Sequence, residues 1–222
     1  MGKLAVEWAV LGLTILFGIM TYIVVQGTRA AMAWRKAAAA GDVKVIRDIV
    51  EDTLSGWRST KRPKEVPPDV WRGIQSMQLV EVGPEFVRVS CQAEGDYKLV
   101  NGRWFEQASP LQEGMAITAR ALDMLLYELP HFKAGRVQID VYTTFRQTGT
   151  ATRRGCILST VATREVAREV DWEEWTPGQI VDALGGRYEL DDHARPLPIE
   201  VEEPKAPEPE RAEVAPTAPV EK

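Results

Sequence analysis

An uncharged, mostly apolar run from Trp8 to Thr28 constrains this chain more than any other feature of its sequence. A helix rises 1.5 Å per residue, so about 20 apolar residues are enough to cross the ~30 Å hydrocarbon core of a bilayer. No comparable run follows it. The sequence therefore predicts a single-pass membrane protein, in which an anchor is followed by a soluble domain.

Two other structures are typical of apolar runs near an amino terminus. A cleaved signal peptide usually has an apolar core of about 7–15 residues, and the core of this run is longer. The small residues that could form a cleavage site lie among Arg29, Arg35 and Lys36. A buried helix of a soluble domain is apolar along one stripe, whereas this run is apolar all round. We therefore expect an uncleaved anchor.

Positive charge is concentrated after the apolar run. Residues 29–64 contain nine Lys and Arg against four Asp and Glu, whereas Lys3 is the only basic side chain before the run. Cytoplasmic flanks carry the Lys/Arg excess, so we expect the C-terminal side to be cytoplasmic and the anchor to lie in the cell membrane. The basic segment is expected to contact the lipid bilayer surface. The predicted membrane-interface residues are Trp8, Trp34, Arg35 and Lys36.

Composition and motifs argue against several functional classes. The net charge is −5, and no basic surface interleaved with aromatic residues indicates nucleic-acid binding. Cys91 and Cys156 form no CxxC pair, which favours two buried reduced thiols over a zinc site. His131 follows a helix end and His193 follows two aspartates, and neither belongs to a recognisable catalytic set. We therefore expect no catalytic residue, no metal and no cofactor.

Composition shifts divide the chain into five segments. A charged, Pro-rich stretch suggests a linker that joins the two helical segments near the membrane to the main domain. The Pro- and Glu-rich tail lacks the apolar residues needed to fold. The wide Val/Ile stripe of the second juxtamembrane helix must be buried against something, so packing on the domain is an alternative to a separate segment. The predicted segments are an anchor (1–28), juxtamembrane basic helices (29–58), a linker (59–69), an α+β domain (70–198) and a disordered acidic tail (199–222).

Periodicity within 70–198 indicates both strands and helices. Residues 86–94 and 136–146 alternate between apolar and polar side chains, as strands with one buried face do. Asn101-Gly102 is a strong signal for a two-residue hairpin turn. Ser109-Pro110 begins a helix with a capping sequence, and Pro130 ends it. This order predicts an α+β fold with an antiparallel sheet and helices on one face.

Residues 37–52 (AAAAGDVKVIRDIVED) resemble the first helix of an ankyrin repeat, and also the opening of NTF2-like and Tim44-like domains. The resemblance covers 16 residues, and no second repeat follows. An NTF2-like domain implies a cavity between sheet and helices that holds a small ligand or an enzymatic site.

Two groups of polar residues are candidates for contacts with another protein. The first is the polar face of the predicted sheet, which includes Arg88 on one strand and Asp140, Tyr142 and Arg146 on the longest strand. The second is the basic pair in the loop between the last two long strands. The candidate partner-binding residues are Arg88, Asp140, Tyr142, Arg146, Arg153 and Arg154.

These patterns favour a membrane-anchored adaptor or assembly protein whose cytoplasmic α+β domain binds a protein partner, with homo-oligomerisation left open. The alternative is an NTF2-like or other small-ligand-binding or enzymatic domain tethered to the membrane. The inward side chains of the predicted strands include no acid and no histidine. An interior without ionisable groups favours the adaptor over an active site.

Overall fold

The computed structural model describes residues 2–146 and 152–201, apart from several individual side chains. In these residues three helices precede the first strand. The rest forms a four-stranded sheet with further helices and two small two-stranded hairpins. The helices are α1 (Gly2–Ala39), α2 (Val43–Ser59), α3 (Pro68–Gln75), α4 (Pro110–Asp123, continued by a π-helical turn, Met124–Glu128), α5 (Arg164–Ala167) and α6 (Pro177–Ala183). The strands are β1 (Gln78–Val82), β2 (Phe86–Gln92), β3 (Asp96–Val100), β4 (Arg103–Ala108), β5 (Arg136–Arg146), β6 (Thr152–Thr163), β7 (Glu189–Leu190) and β8 (Pro196–Leu197).

The main sheet has the strand order β1-β2-β5-β6. Its outer strands run antiparallel to their neighbours, but β2 and β5 pair in parallel, from Phe86 opposite Arg136 to Gln92 opposite Tyr142. The α+β class is confirmed, whereas the prediction of an antiparallel sheet is wrong, because the sheet is mixed. The connection explains the difference. After β2 the chain forms the β3–β4 hairpin, and α4 then returns it to the end of the sheet where β2 began.

The core lies between the apolar face of this sheet and the helices packed against it. Val89, Ile139 and Val141 are fully buried on that face. Gly114 of α4 lies so close to the sheet that a Cβ there would be 3.0 Å from Cγ1 of Val141. A larger side chain at this position would separate helix from sheet, so the glycine sets their spacing.

Helix α2 belongs to the same core. Asp42 caps its amino terminus by accepting hydrogen bonds from the backbone N–H groups of Lys44 and Val45. Nη2 of Arg58 donates to the backbone oxygen of Met77, directly before β1, at 2.7 Å. The apolar stripe predicted for this helix is buried, with Ile46, Ile49, Val50 and Leu54 on its inner side. The juxtamembrane segment and the sheet therefore share one core across the predicted linker.

Helix α1 is continuous over 38 residues. Within Gly12–Ala39, the most apolar 18-residue stretch has a mean hydropathy of 1.4 and packs against nothing else in the described chain. By length and composition this helix could cross a membrane, as predicted. Ala38, near its end, is buried in the domain core. The domain is therefore joined to α1 by packing as well as by the chain.

Local signals in the sequence account for the turns and helix starts. Asn101 and Gly102 both have positive φ, at 51° and 76°, as the predicted hairpin turn requires. Ser109 and Gln112 form the predicted capping box at the start of α4. The predicted tail (199–222) lies outside the described residues from position 202 onward. At its start, the N–H of Ile199 donates to the backbone oxygen of Cys156.

Candidate functional site

The predicted polar face of the sheet lies opposite α4 and is closed at its centre. Arg88 and Asp140 are 5% and 1% exposed, and Nε of Arg88 donates to Oδ2 of Asp140 at 2.7 Å. The other carboxylate oxygen accepts hydrogen bonds from Ser159 and Gln138, at 2.7 and 3.1 Å. Arg88 and Asp140, two of the candidate partner-binding residues, are therefore buried in this face and not accessible to a partner. Alternation places them on the polar face, but the charges satisfy each other across neighbouring strands instead of facing water.

The remaining candidate residues lie toward one end of the sheet. The guanidinium of Arg154 stacks over the ring of Tyr142, 4.4 Å from its centroid. Arg153, the preceding residue of β6, is exposed and faces the other side of the sheet, with Phe145. The side chain of Arg146 lies outside the described residues. Tyr142 and Arg154 thus form an aromatic and cationic pair on the polar face, Arg153 is exposed on the opposite face, and Arg88 and Asp140 belong to the interior.

Both cysteines are free and buried. Burial raises the pKa of the Cys91 thiol far above its usual range, and raises that of Cys156 to about 11, with the Asp140 carboxylate adding to both shifts. Because the thiolate is the reactive form, both residues are protonated and inert at neutral pH. The sulfur atoms therefore contribute packing.

The β3–β4 hairpin stands apart from the main sheet. It pairs only with itself, and its Tyr97, Leu99 and Phe105 are each about half exposed, at 49%, 55% and 52%. Tyr97 and Leu99 lie on one face of this hairpin and Phe105 on the other, so each face exposes large apolar side chains that another surface could cover. The sequence predicted this hairpin but not its exposure. The pattern that could have indicated the exposure is a pair of strand segments on either side of the turn, rich in aromatic residues and without a helix to cover them.

A buried carboxylate fixes the base of this hairpin. Glu113 of α4 is 2% exposed, and its Oε2 accepts hydrogen bonds from the backbone N–H groups of Glu94 and Gly95, directly before β3. Its Oε1 pairs with Nη2 of Arg72 on α3 at 3.2 Å. The hairpin therefore leaves the domain in a defined direction.

Helix α1 and the hairpin lie at opposite ends of the sheet. At the α1 end, a Cβ on Gly41 would be 3.2 Å from Cβ of Pro84, in the turn that leads into β2. At the hairpin end, β2 finishes at Gln92 and the chain enters β3. Since β5 is parallel to β2, its end and the Tyr142–Arg154 stack lie toward the hairpin end as well.

A groove of about 690 Å³ lies at the α1 end. We call it the cationic groove, because Arg35, Lys133 and Arg164 line it together with a single carboxylate, Glu85. Nε of Arg35 donates to Nδ1 of His131 at 3.0 Å. Of the predicted membrane-interface residues, Arg35 thus lies in the groove, and Trp8, Trp34 and Lys36 are exposed along α1.

Four cavities bordered by described residues are open grooves at the surface. The inward side chains Val89, Ile139 and Val141 line none of these four. Within residues 2–146 and 152–201, no three His, Cys, Asp or Glu side chains are arranged to hold a metal ion. Comparison of the chain with protein-family models, curated proteins and solved structures gave no match.

Proposed function

We propose that this protein is a membrane-anchored adaptor that binds a protein partner through the hairpin end of its α+β domain. In this proposal α1 crosses the cell membrane once, and the domain lies on the cytoplasmic side. The excess of Lys and Arg after the apolar run supports this orientation. The proposal assigns no catalytic step, because the buried carboxylates Asp140 and Glu113 are held by hydrogen bonds within the fold.

The observation that carries the proposal is the exposed apolar hairpin on a fixed base. The β3–β4 hairpin packs on no other sheet and exposes Tyr97, Leu99 and Phe105. Glu113 fixes its base by accepting a hydrogen bond from the backbone N–H of Gly95, directly before β3. Aromatic and large apolar side chains dominate the centres of protein interfaces, and a rigid element loses less entropy on binding. Arg153 and Arg154, at the same end, supply a polar rim.

The test compares chemical crosslinking of the full chain in native membranes between wild type and the Leu99→Ser, Phe105→Ser variant. We expect the wild-type protein to give a defined crosslinked species, and the variant to lose at least nine tenths of it. Leu99 and Phe105 lie on opposite faces of the hairpin, so the double variant removes an apolar contact whichever face the partner covers, and losing a central interface contact costs about 2 kcal/mol or more. Both side chains are exposed, so the thermal unfolding midpoint should not change.

The matched control is Val166→Ser, which removes an exposed apolar side chain from α5, outside the hairpin. It should leave the crosslinked species unchanged. Equal crosslinking in the hairpin variant and the control would contradict docking through the hairpin. A crosslinked species of twice the chain mass would identify a second copy as the partner.

A further inference from the structure

The cationic groove carries charge that the described chain does not neutralise. Within the described residues, no carboxylate forms an ion pair with Arg35, Lys133 or Arg164. Arg35 uses Nε to reach His131, and its two terminal nitrogens have no partner among these residues. A guanidinium presented in this way is suited to a phosphate, because its parallel N–H groups match two phosphate oxygens.

A second arginine in the groove is held rigidly. Arg164 donates to the backbone oxygens of Leu126 and Ala134, and its guanidinium lies 5.2 Å from the centroid of the Tyr127 ring. These contacts satisfy the carbonyl groups where the π-helical turn gives way to β5. They also keep a positive charge fixed at the groove wall, where no carboxylate of the described residues forms an ion pair with it.

Three carbonyl oxygens at the end of α1 are hydrogen-bonded, which reduces the repulsion of an anion in the groove. The carboxyl end of a helix is electronegative where its carbonyl groups are bare. Here the oxygens of Lys36, Ala37 and Ala38 accept hydrogen bonds from Ala40, Asp42 and Gly41. The turn between α1 and α2 therefore closes the helix without unpaired acceptors at these three positions.

The floor of the groove is apolar. Leu126, Leu129 and Phe132 line it and are almost fully buried, and Tyr127, which is 43% exposed, forms part of the rim. Charge beside an apolar floor favours an amphiphile over a free inorganic anion, because the apolar atoms gain contact when water leaves.

The position along α1 matches the level of lipid headgroups. Arg35 follows Thr28 by seven residues, about 10 Å along the helix. Headgroup layers extend a bilayer from ~30 Å to about 40–45 Å, and an arginine side chain can reach back several ångströms toward them. With residues 8–28 in the hydrocarbon core, the groove opens at the headgroup layer on the domain side.

Resting on the proposed membrane anchoring by α1, we infer that the cationic groove binds the phosphate of one anionic phospholipid of the surrounding bilayer. Arg35 and Lys133 contact the phosphate, Arg164 adds a fixed positive charge, and the apolar floor contacts the upper part of the lipid. This binding holds the domain against the membrane surface at its α1 end.

The test is native mass spectrometry of the full chain in detergent micelles, with phosphatidylglycerol, phosphatidylcholine or inorganic phosphate added separately. We expect one phosphatidylglycerol per chain, retained more strongly than phosphatidylcholine. The Arg35→Gln, Lys133→Gln variant should bind it about twenty-five-fold more weakly, since each cation contributes about a fivefold factor near an anionic surface. Lys133→Gln alone, which removes no described hydrogen bond, should show about a fivefold loss.

The matched control is Lys61→Gln, Lys64→Gln, which removes the same charge from exposed residues outside the groove. It should retain the lipid within twofold of wild type. The lipid assignment would be overturned if the control lost as much phosphatidylglycerol as the groove variant did. It would also be overturned if the wild-type protein retained phosphatidylcholine, or bound inorganic phosphate, as tightly as phosphatidylglycerol. Membrane fractionation of wild type tests the anchor separately: recovery in the soluble fraction would reject the proposed anchoring, whatever the micelle experiment gives.

Discussion

The two ends of the sheet differ in what they leave exposed. At the α1 end, three cations line a groove with one carboxylate, and a hydrogen bond joins Arg35 to His131. At the hairpin end, apolar side chains such as Leu99 and Phe105 are exposed on a hairpin that packs on no other sheet. Unbalanced charge suits a phosphate surface, and uncovered apolar area suits a protein surface. In the functions that we propose, the two ends of one domain therefore face two kinds of partner.

The largest expected effect comes from separating the α1 end from the sheet. A fragment from Val66 to Ile199 lacks α2 and with it four buried side chains, each worth about 1.5–3 kcal/mol of burial. Domains are typically stable by only about 5–15 kcal/mol, so we expect this fragment to aggregate. A fragment that starts at Gly41 keeps α2 and should stay monomeric in size-exclusion chromatography.

Solubility of both fragments would show that the hairpin end folds without α2, and would make the two ends independent units. Circular dichroism on the two fragments distinguishes a folded domain from a soluble but unfolded chain.

The next largest effect is expected at the ion pair between the two ends. Asp140→Ala leaves the guanidinium of Arg88 buried without its nearest carboxylate, and we expect a loss of about 3 kcal/mol in the free energy of unfolding. Glu81, 4.0 Å from Arg88, compensates in part. Urea denaturation of the full chain in detergent measures the loss.

The control replaces both charges, as Arg88→Met with Asp140→Leu. Apolar pairs of similar volume often match or exceed the stability of buried ion pairs, so this variant should recover part of the loss, reduced by the cost of leaving the buried Ser159 hydroxyl without its acceptor. If Asp140→Ala were as stable as wild type, the pair would not hold the sheet between the two ends together.

The smallest expected effect is confined to the hairpin end. Glu113→Ala removes the acceptor of two backbone N–H groups, and each buried donor left unpaired costs about 1–3 kcal/mol. We expect a stability loss of about 2 kcal/mol and faster hydrogen exchange in β3 and β4, with unchanged exchange in α2.

Glu113→Gln keeps one acceptor oxygen and should lose about half as much. Equal acceleration of exchange at both ends would mean that Glu113 stabilises the whole core, and the hairpin would not be a separately fixed element.

Much of the local structure could be predicted from the sequence, because it depends on neighbouring residues. The turn at Asn101-Gly102 and the helix start at Ser109 follow from backbone sterics and capping within a few positions. Strand direction could not be predicted in this way. Alternation has the same period in parallel and antiparallel strands, so the pairing of β2 with β5 depends on where α4 returns the chain.

The sites depend on contacts between residues distant in the sequence. Arg88 and Asp140 are 52 positions apart, and Arg35 and His131 are 96 apart, so neither contact produces a local pattern. Periodicity showed that Asp140 shares the polar face with Tyr142, but it carries no information on which polar side chains bury each other. The groove was missed for the same reason.

The continuity of α1 into the domain core has a mechanical consequence. Because the helix runs unbroken to Ala39 and Ala38 is packed inside, the domain cannot swivel independently about the helix axis. Rotation of α1 by a given angle therefore turns the whole domain by the same angle. If two copies associated through α1, the pairing of the two helices would set the rotation angle between their hairpins. A change in this pairing would therefore rotate the two hairpins relative to each other, although they lie at the far ends of the domains.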